Sequence, residues 1–195
     1  MSIKSVALFC GSASGINPKY SELAKKFGRY CATNNITIYY GGACIGLMGN
    51  AATAAIELNG HVVGIAPNFF TQGIVLSQDL PEMILVKSMS ERKQQFELLA
   101  DAFVILPGSY GTMDEFFEVI TNAQLGLHNK PVAILNAFGY YDHLIALLNH
   151  FHQEGFLRPF HLDLLIIDDD IHALFEKLSK YEYGNDRNWL DKIKK

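Results

Sequence analysis

Short apolar runs alternate with segments of helical periodicity along most of the chain. Runs at residues 6–10, 36–40, 61–66, 83–86, 102–106, 131–135 and 164–167 have the length of buried strands. Helices are predicted between them, among them those at residues 17–33, 90–100, 141–154 and 172–180. Strands that alternate with helices form a parallel sheet that binds ligands at the carboxyl ends of its strands. The pattern therefore predicts an α/β fold with a doubly wound parallel sheet.

The composition fits a single domain that does not bind nucleic-acid polymers. The 195 residues, of which 49% are hydrophobic, exceed the usual size of one domain but are too few for two independent α/β domains. We assign residues 1–180 to the domain and residues 181–195, which mix aromatic and charged side chains, to a tail or strap. The net charge of −4 lacks the basic surplus with which proteins neutralise DNA or RNA phosphates.

The cysteines and the amino terminus predict a cytoplasmic protein. Cys10, Cys31 and Cys44 are odd in number and lack a C-x-x-C spacing, so we interpret them as reduced thiols of the core. Residues 1–5 lead into a strand without the apolar segment of a signal peptide, and no apolar run has the length of a membrane span. The seven histidines are scattered, so no metal site is predicted.

The stretch at residues 106–115, Leu-Pro-Gly-Ser-Tyr-Gly-Thr-Met-Asp-Glu, is the strongest candidate for a functional site. It joins a buried strand to a predicted helix, and Thr112 and Glu115 have the spacing of a capping box at the start of that helix. The N–H groups and the positive dipole end at such a start attract anions, and glycines allow a phosphate to approach the backbone. We therefore expect Glu115 to lie beside a phosphate.

Two further small-residue turns, at residues 11–15 and 41–49, follow predicted strands and should open toward the same edge of the sheet. The dinucleotide fingerprint G-x-G-x-x-G is absent, since the glycine after Gly11 is Gly15 and no acidic residue ends the second strand. The phosphate loop of NTPases is also absent, because no glycine precedes a Lys-Ser or Lys-Thr pair. The three turns together indicate a pocket for a mononucleotide or a sugar phosphate.

Arg92 and Lys93 are the cations that could reach this pocket. Both lie in the first turn of the helix before the central strand, where positive charge opposes the helix dipole. Arginine suits a phosphate or a carboxylate because its planar fork forms two parallel hydrogen bonds. A special role at the pocket rim and a solvated charge cluster at a helix start are equally open from the spacing alone.

Several motifs resemble the LOG (“Lonely Guy”) family, the cytokinin riboside 5′-monophosphate phosphoribohydrolases, which were formerly labelled possible lysine decarboxylases. Residues 107–115 resemble the family signature PGGxGTxxE. Further similar motifs follow the family order, at residues 9–12, 40–42, 46–49, 91–93, 123–126, 130–131, 139–142 and 155–156. The resemblance covers about residues 5–180.

The resemblance implies a Rossmann-like fold with helices on both faces, a homodimer, and an enzyme without a cofactor. It implies hydrolysis of the N-glycosidic bond of a nucleoside 5′-monophosphate, such as AMP or a cytokinin riboside 5′-monophosphate, to free base and ribose 5-phosphate. Arg92 and Glu115 would be the catalytic pair. The residues implied in substrate binding are Ser12, Gly42, Met48, Arg92, Lys93, Gly108, Ser109, Tyr110, Gly111 and Thr112.

Glycosidic bond chemistry agrees with that assignment. The reaction passes through an oxocarbenium-like sugar, so a fixed carboxylate can stabilise its positive charge and orient or deprotonate the attacking water. We expect Glu115 to supply this carboxylate and Arg92 to hold it ionised, and we interpret Asp114 and Glu118 as solvated. The apolar residues that follow cover more than one helix face, which predicts burial on several sides and is consistent with a dimer interface. These residues are Phe116, Phe117, Val119, Ile120, Leu125 and Leu127.

The chain departs from the family pattern at four positions. Ser109 replaces the second glycine of the signature, Ser90 a histidine, Ala43 the third glycine of the second turn, and Asn122 a tryptophan. If position 109 requires a positive φ, the serine costs about 1 kcal/mol and narrows the phosphate cradle. The base that the enzyme accepts is therefore open.

A nucleotide- or cofactor-binding carrier of the same fold is the alternative to an enzyme. The presence of both Arg92 and Glu115 favours the enzyme. Lysine decarboxylation is disfavoured, because it needs a Schiff base with pyridoxal phosphate and no lysine of the chain stands out for that bond. Residues 67–81, with a short helical piece at residues 69–73, are predicted to form a lid.

Overall fold

A parallel sheet of seven strands lies at the centre of the protein, whose computed structural model describes residues 2–71 and 80–184. The strands are β1 (Ser5–Phe9), β2 (Thr37–Tyr40), β3 (Val62–Pro67), β4 (Glu82–Val86), β5 (Ala102–Ile105), β6 (Val132–Leu135) and β7 (Leu165–Asp168). The helices are α1 (Lys19–Thr33), α2 (Gly46–Ile56), α3 (Met89–Leu99), α4 (Tyr110–Leu125), α5 (Asp142–Gln153), α6 (Pro159–Leu162) and α7 (Ile171–Ser179). Short 3₁₀ helices lie at Asn68–Thr71 and Ala137–Gly139.

The order of the strands creates a crevice between β1 and β5. The sheet runs β4-β3-β2-β1-β5-β6-β7 with every pair of neighbours parallel. The chain therefore builds outward from β1 on one side and then places β5 on the other side. Beyond the strands the N–H of Leu106 donates to the carbonyl of Phe9, and the N–H of Gly11 donates to that of Pro107, both at 2.9 Å. Doubly wound sheets bind ligands where the strand order reverses, so this is the expected place of a site.

Both faces of the sheet are covered because the strand side chains alternate between two apolar cores. Val6 and Leu8 of β1 belong to the core that contains residues of α1, α2 and α7. Ala7 and Phe9 belong to the opposite core, which contains residues of α3 and α4 and packs against α5. The predicted doubly wound sheet with helices on both faces is therefore confirmed.

The periodicity of the sequence locates the strands and the long helices to within about two residues at their ends, except at the starts of α2 and α4, which both begin earlier than predicted. The four-residue helix α6 and the 3₁₀ helix at Ala137–Gly139 are not predicted, because such short segments show no period. A helical piece does occur in the predicted lid, at Asn68–Thr71. Residues 72–79 of that lid and residues 185–195 of the tail lie outside the described residues.

The cysteines and the apolar residues of α4 differ in part from the predictions. Cys10 and Cys31 are buried, and burial raises the pKa of both thiols far above the usual value. Cys44 is exposed in the turn before α2, so its assignment to the core is wrong. Phe117, Leu125 and Leu127 are exposed in the single chain, so burial of these three residues would require a second copy and stays a prediction. In the described part, no helix is long and apolar enough to cross a membrane.

Candidate active site

A cavity of about 440 Å³ lies at the carboxyl ends of β1 and β5. Its size falls within the range of small-molecule sites, about 300–1,000 Å³. The turn after β1, the turn after β5 and two tyrosines form its wall, with Ser12, Ile16, Tyr20, Gly108, Ser109 and Tyr140 among the lining residues. Ser12, Gly108 and Ser109 were predicted from the sequence to bind substrate, and the fold brings all three to this cavity.

Helix α4 begins beside the cavity and earlier than the sequence predicts. Ser109 is its N-cap residue, and the Ser109 side chain accepts no hydrogen bond from the helix. Thr112 lies within the first turn and packs against Gly108, where an added Cβ would be 2.0 Å from the Thr112 hydroxyl oxygen. The predicted capping box of Thr112 and Glu115 is therefore wrong. The first N–H groups of a helix lack carbonyl partners within it, so the start of α4 can offer them to an anion.

Ser109 fits the turn without backbone strain. Its φ is −124° and its ψ is −139°, so the left-handed conformation that would favour glycine does not occur at this position. Glycine is required instead at position 108, because any larger residue there would clash with Thr112. The serine in place of the second signature glycine therefore does not meet the left-handed conformation for which a cost of about 1 kcal/mol was expected.

The second glycine turn is joined to the first. Gly46 has a φ of +64°, and an added Cβ there would be 2.2 Å from the carbonyl carbon of Ser12. The N–H groups of Leu47 and Met48, at the start of α2, donate to the carbonyl of Gly11 at 3.0 and 3.3 Å. The Gly11 carbonyl, in the turn after β1, therefore accepts hydrogen bonds from two N–H groups that have no partner within α2. The two turns pack against each other as one unit.

Arg92 and Glu115 form a buried ion pair between α3 and α4. Arg92 Nη2 lies 3.0 Å from Glu115 Oε1, with 10% and 6% of the respective side chains exposed. Arg92 Nε donates to the carbonyl of Ile65 in β3 at 3.1 Å, and the guanidinium carbon lies 5.3 Å from the ring centre of Phe96. This burial contradicts the interpretation of Arg92 as part of a solvated charge cluster. The pair that the sequence predicts is thus assembled and held in place.

The residues beside the pair come from the turn after β2. An added Cβ at Gly41 would be 2.5 Å from Arg92 Nη2 and 3.0 Å from the sulfur of Met48. Gly42 is buried and has a φ of +77°. Arg92, Glu115, Gly42 and Met48 do not line the 440 Å³ cavity. Some of the predicted residues therefore line the cavity, whereas Arg92, Glu115 and Met48 lie together outside its lining.

Burial controls the protonation of Glu115. Loss of solvent contact raises its pKa to about 7, against the opposing effects of Arg92 and, more weakly, Lys93. Asp114 and Glu118 add smaller increases. Arg92 therefore favours the ionised form, but burial has the larger effect on the pKa, so Arg92 does not hold Glu115 fully ionised as expected. Near neutral pH both the carboxylate and the carboxylic acid are populated, which is the range that suits a general base.

Lys93 is held by two carboxylates of α4. Its Nζ lies 3.2 Å from Asp114 Oδ2 and in closer contact with Glu118 Oε2, with 17% of the side chain exposed. Asp114 and Glu118 are solvated in part, as predicted, with 58% and 35% of their side chains exposed, and they also pair with Lys93. Tyr110 is 93% exposed, and neither it nor Gly111 lines the cavity. The binding roles of Lys93, Tyr110 and Gly111 stay predictions.

Two lining tyrosines were not identified from the sequence. Tyr20 follows the first turn in α1, and Tyr140 lies between β6 and α5 with its hydroxyl donating to the carbonyl of Gly108 at 2.7 Å. Their rings meet edge to face with centres 5.4 Å apart. Tyr140 belongs to a motif that resembles the family, at residues 139–142, and that was the available signal. A role for it requires the contact with Gly108, which no sequence pattern shows.

Comparisons with known proteins agree on one family. Residues 48–178 match the family model of possible lysine decarboxylases. The chain is 38% identical over 183 residues to a cytokinin riboside 5′-monophosphate phosphoribohydrolase of Arabidopsis thaliana, covering 94% of this chain and 80% of that protein. It is 43% identical over 171 residues to the protein of that name from Rhodococcoides fascians, covering 87% and 86%.

A solved structure shows the same fold at low sequence identity. The molybdenum cofactor binding protein of Rippkaea orientalis superposes with a TM-score of 0.68 over 92% of this chain and 98% of that chain. The two sequences are 19% identical, so the likeness concerns the fold alone.

Proposed function

This chain belongs to the family of cytokinin riboside 5′-monophosphate phosphoribohydrolases, and on that premise we propose that it hydrolyses a nucleoside 5′-monophosphate. The bond cleaved is the N-glycosidic bond of AMP or of an N6-modified AMP, and the products are the free base and ribose 5-phosphate. The observation that carries the proposal is the buried pair of Arg92 and Glu115 next to the start of α4. A fixed carboxylate on the helix whose start can attract an anion supports this reaction.

In the proposed mechanism the start of α4 binds the 5′-phosphate and the reaction takes place at C1′ of the ribose. The C1′–N9 bond breaks, its electron pair leaves with the base, and positive charge develops on the sugar. The Glu115 carboxylate stabilises that charge and accepts a proton from a water molecule. The water oxygen bonds to C1′, and the proton that Glu115 accepted is passed on to the departing base, which restores the carboxylate. Hydrolysis is then complete without a cofactor.

Arg92 acts in this mechanism by holding the carboxylate. Its guanidinium is tied to β3 through the carbonyl of Ile65 and to α4 through Glu115, so two elements fix its position. A buried charge that loses its partner is strongly destabilising, so neither member of the pair leaves the other easily. A preorganised carboxylate needs no rearrangement as the sugar becomes positive.

The pH dependence of kcat/KM should report the protonation of Glu115. Its pKa is raised to about 7, and the carboxylate form predominates above that pH. Activity should therefore be low in acid, rise through a midpoint near this value and level off in mild alkali. Lys93→Met should move the midpoint upward, because Lys93 lowers the pKa of Glu115. Initial rates from about pH 5 to about pH 9 measure both profiles, and a flat wild-type profile would contradict the role of Glu115.

Release of free base tests the reaction itself. AMP and isopentenyladenosine 5′-monophosphate are incubated with the protein, and the base is followed by chromatography. Base release supports the hydrolase, and the ratio of the two rates identifies the preferred ring substituent. Nucleotide binding without release from either substrate would contradict hydrolysis and favour the non-hydrolytic carrier.

We also propose that two copies of the chain associate through the exposed apolar residues around α4. Phe117, Leu125 and Leu127 are large, apolar and exposed, as is typical of an interface. Leu127→Glu should weaken the homodimer at least tenfold, because it places a charge on a surface that becomes buried. Light scattering over a dilution series measures the dissociation of the dimer. The control is Leu58→Glu, at an exposed leucine just after the end of α2. The proposal would be contradicted if the wild-type protein is a monomer. It would also be contradicted if Leu127→Glu and Leu58→Glu weaken the dimer equally.

We propose a cytoplasmic location because the cysteines are free thiols. All three are free, and Cys10 and Cys31 are buried as thiols in the apolar core. Free thiols persist in the reducing environment of the cytoplasm.

A further inference from the structure

The loop between β6 and α5 is bonded to the turn after β5 through two adjacent tyrosine hydroxyls. Tyr140 donates to the carbonyl of Gly108 at 2.7 Å, and Tyr141 donates to the carbonyl of Leu106 at 2.8 Å. The two hydrogen bonds therefore fix the carbonyl groups of the residues before and after Pro107. Tyr141 is buried, whereas Tyr140 is partly exposed and lines the cavity. The contact made by Tyr140 is thus the one that lies beside the cavity.

The loop is fixed in an uncommon conformation. Phe138 has a φ of +63°, a left-handed value that costs free energy for a bulky side chain, and Gly139 follows with +68°. Asn136 stabilises the loop, because its side chain accepts from the N–H of Tyr141 at 2.7 Å and donates to Asp142 at 2.8 Å. Strained backbone of this kind occurs preferentially at functional sites.

The ring of Tyr140 also packs against two other tyrosine rings. Tyr20 of α1 packs edge to face against Tyr140 with ring centres 5.4 Å apart, and Tyr141 packs against it from within at 4.8 Å. The ring is therefore confined between two neighbours, which limits the rotation of its hydroxyl away from Gly108. A confined donor loses little entropy on forming its hydrogen bond.

We propose that Tyr140 is a positioning residue that prepares the turn after β5 for a phosphate by bonding the carbonyl of Gly108. The inference rests on the proposed function in assigning a phosphate to this turn. A peptide unit is planar, so a fixed Gly108 carbonyl also fixes the N–H of Ser109, the N-cap residue of α4. The hydroxyl further neutralises part of the negative charge on a carbonyl beside the cavity. A free carbonyl there would repel an anion.

Tyr140→Phe tests this role because it keeps the ring and removes only the hydroxyl. Calorimetric titration should show about fivefold weaker binding of ribose 5-phosphate, the effect of one lost hydrogen bond, and unchanged binding of adenine. Neither compound alone is a substrate, so the result is independent of turnover. Tyr30→Phe is the matched control, since Tyr30 packs on Phe175 and does not line the cavity. It should bind both compounds as the wild type does.

Three results would overturn the proposal. They are unchanged ribose 5-phosphate binding by the Tyr140→Phe variant, equal weakening for ribose 5-phosphate and adenine, and no binding of ribose 5-phosphate by the wild type. Base release from AMP is measured separately with the same proteins. A wild type that binds ribose 5-phosphate through Tyr140 but releases no base would refute hydrolysis and leave the role of Tyr140 intact.

Discussion

Glu115→Gln is expected to lower kcat for base release by about 10³-fold, within the range by which general-base groups accelerate reactions. The amide keeps the size of the side chain and can still accept a hydrogen bond from Arg92, which lies 3.0 Å from Oε1 in the wild type. It cannot take a proton from water, and it carries no negative charge to stabilise the developing cation. Steady-state rates with AMP and isopentenyladenosine 5′-monophosphate measure the loss.

The control for this variant is Glu154→Gln at the exposed end of α5, which makes the same chemical change far along the chain. It should leave kcat unchanged. Circular dichroism and binding of ribose 5-phosphate show whether the Glu115→Gln protein is folded with an intact phosphate site. A folded variant whose kcat lies within about fivefold of the wild type would exclude Glu115 as the general base.

Gly46→Ala is expected to reduce the free energy of unfolding by about 2–5 kcal/mol, from left-handed backbone strain and overpacking together. Gly46 has a φ of +64°, and the new Cβ would be 2.2 Å from the carbonyl carbon of Ser12 and 2.6 Å from the nitrogen of Ala13. Both contacts are with backbone, so no side-chain rotation can relieve them. The turn after β1 must move, which also disturbs the cavity wall. Urea unfolding measures the change in stability.

Gly111→Ala is the matched control for this substitution. Gly111 lies in the first turn of α4, and an added Cβ there meets no atom within 4 Å. Alanine should be neutral or stabilise the protein by up to about 1 kcal/mol, since it is the better helix former. Equal urea midpoints for the two variants would show that the packing of Gly46 against Ser12 does not contribute to stability.

Most of the fold could be predicted from the sequence because its elements have clear periods. The buried run that forms β5 and the alternation around it are sufficient to predict a doubly wound parallel sheet. The start of α4 could not be located, because Thr112 and Glu115 match a capping box in sequence but face Gly108 and Arg92 in the structure. Tertiary contacts outweigh local patterns at such positions.

The candidate site could be predicted as a set of residues but not as an arrangement. Sequence motifs identify Arg92 and Glu115, and the fold pairs them from different helices. The binding of Lys93 by Asp114 and Glu118 depends on how α3 packs beside α4, which the sequence does not specify. The same holds for Tyr140, whose bond to Gly108 joins residues 32 positions apart.

The hydrogen bonds from Leu47 and Met48 to the carbonyl of Gly11 use two N–H groups that the start of α2 would otherwise offer to an anion. Two helices, α2 and α4, begin at glycine turns of the same sheet edge, and either start could in principle hold an anion. The carbonyl of Gly11 already occupies the start of α2, so the start of α4 is the better placed of the two to hold an anion.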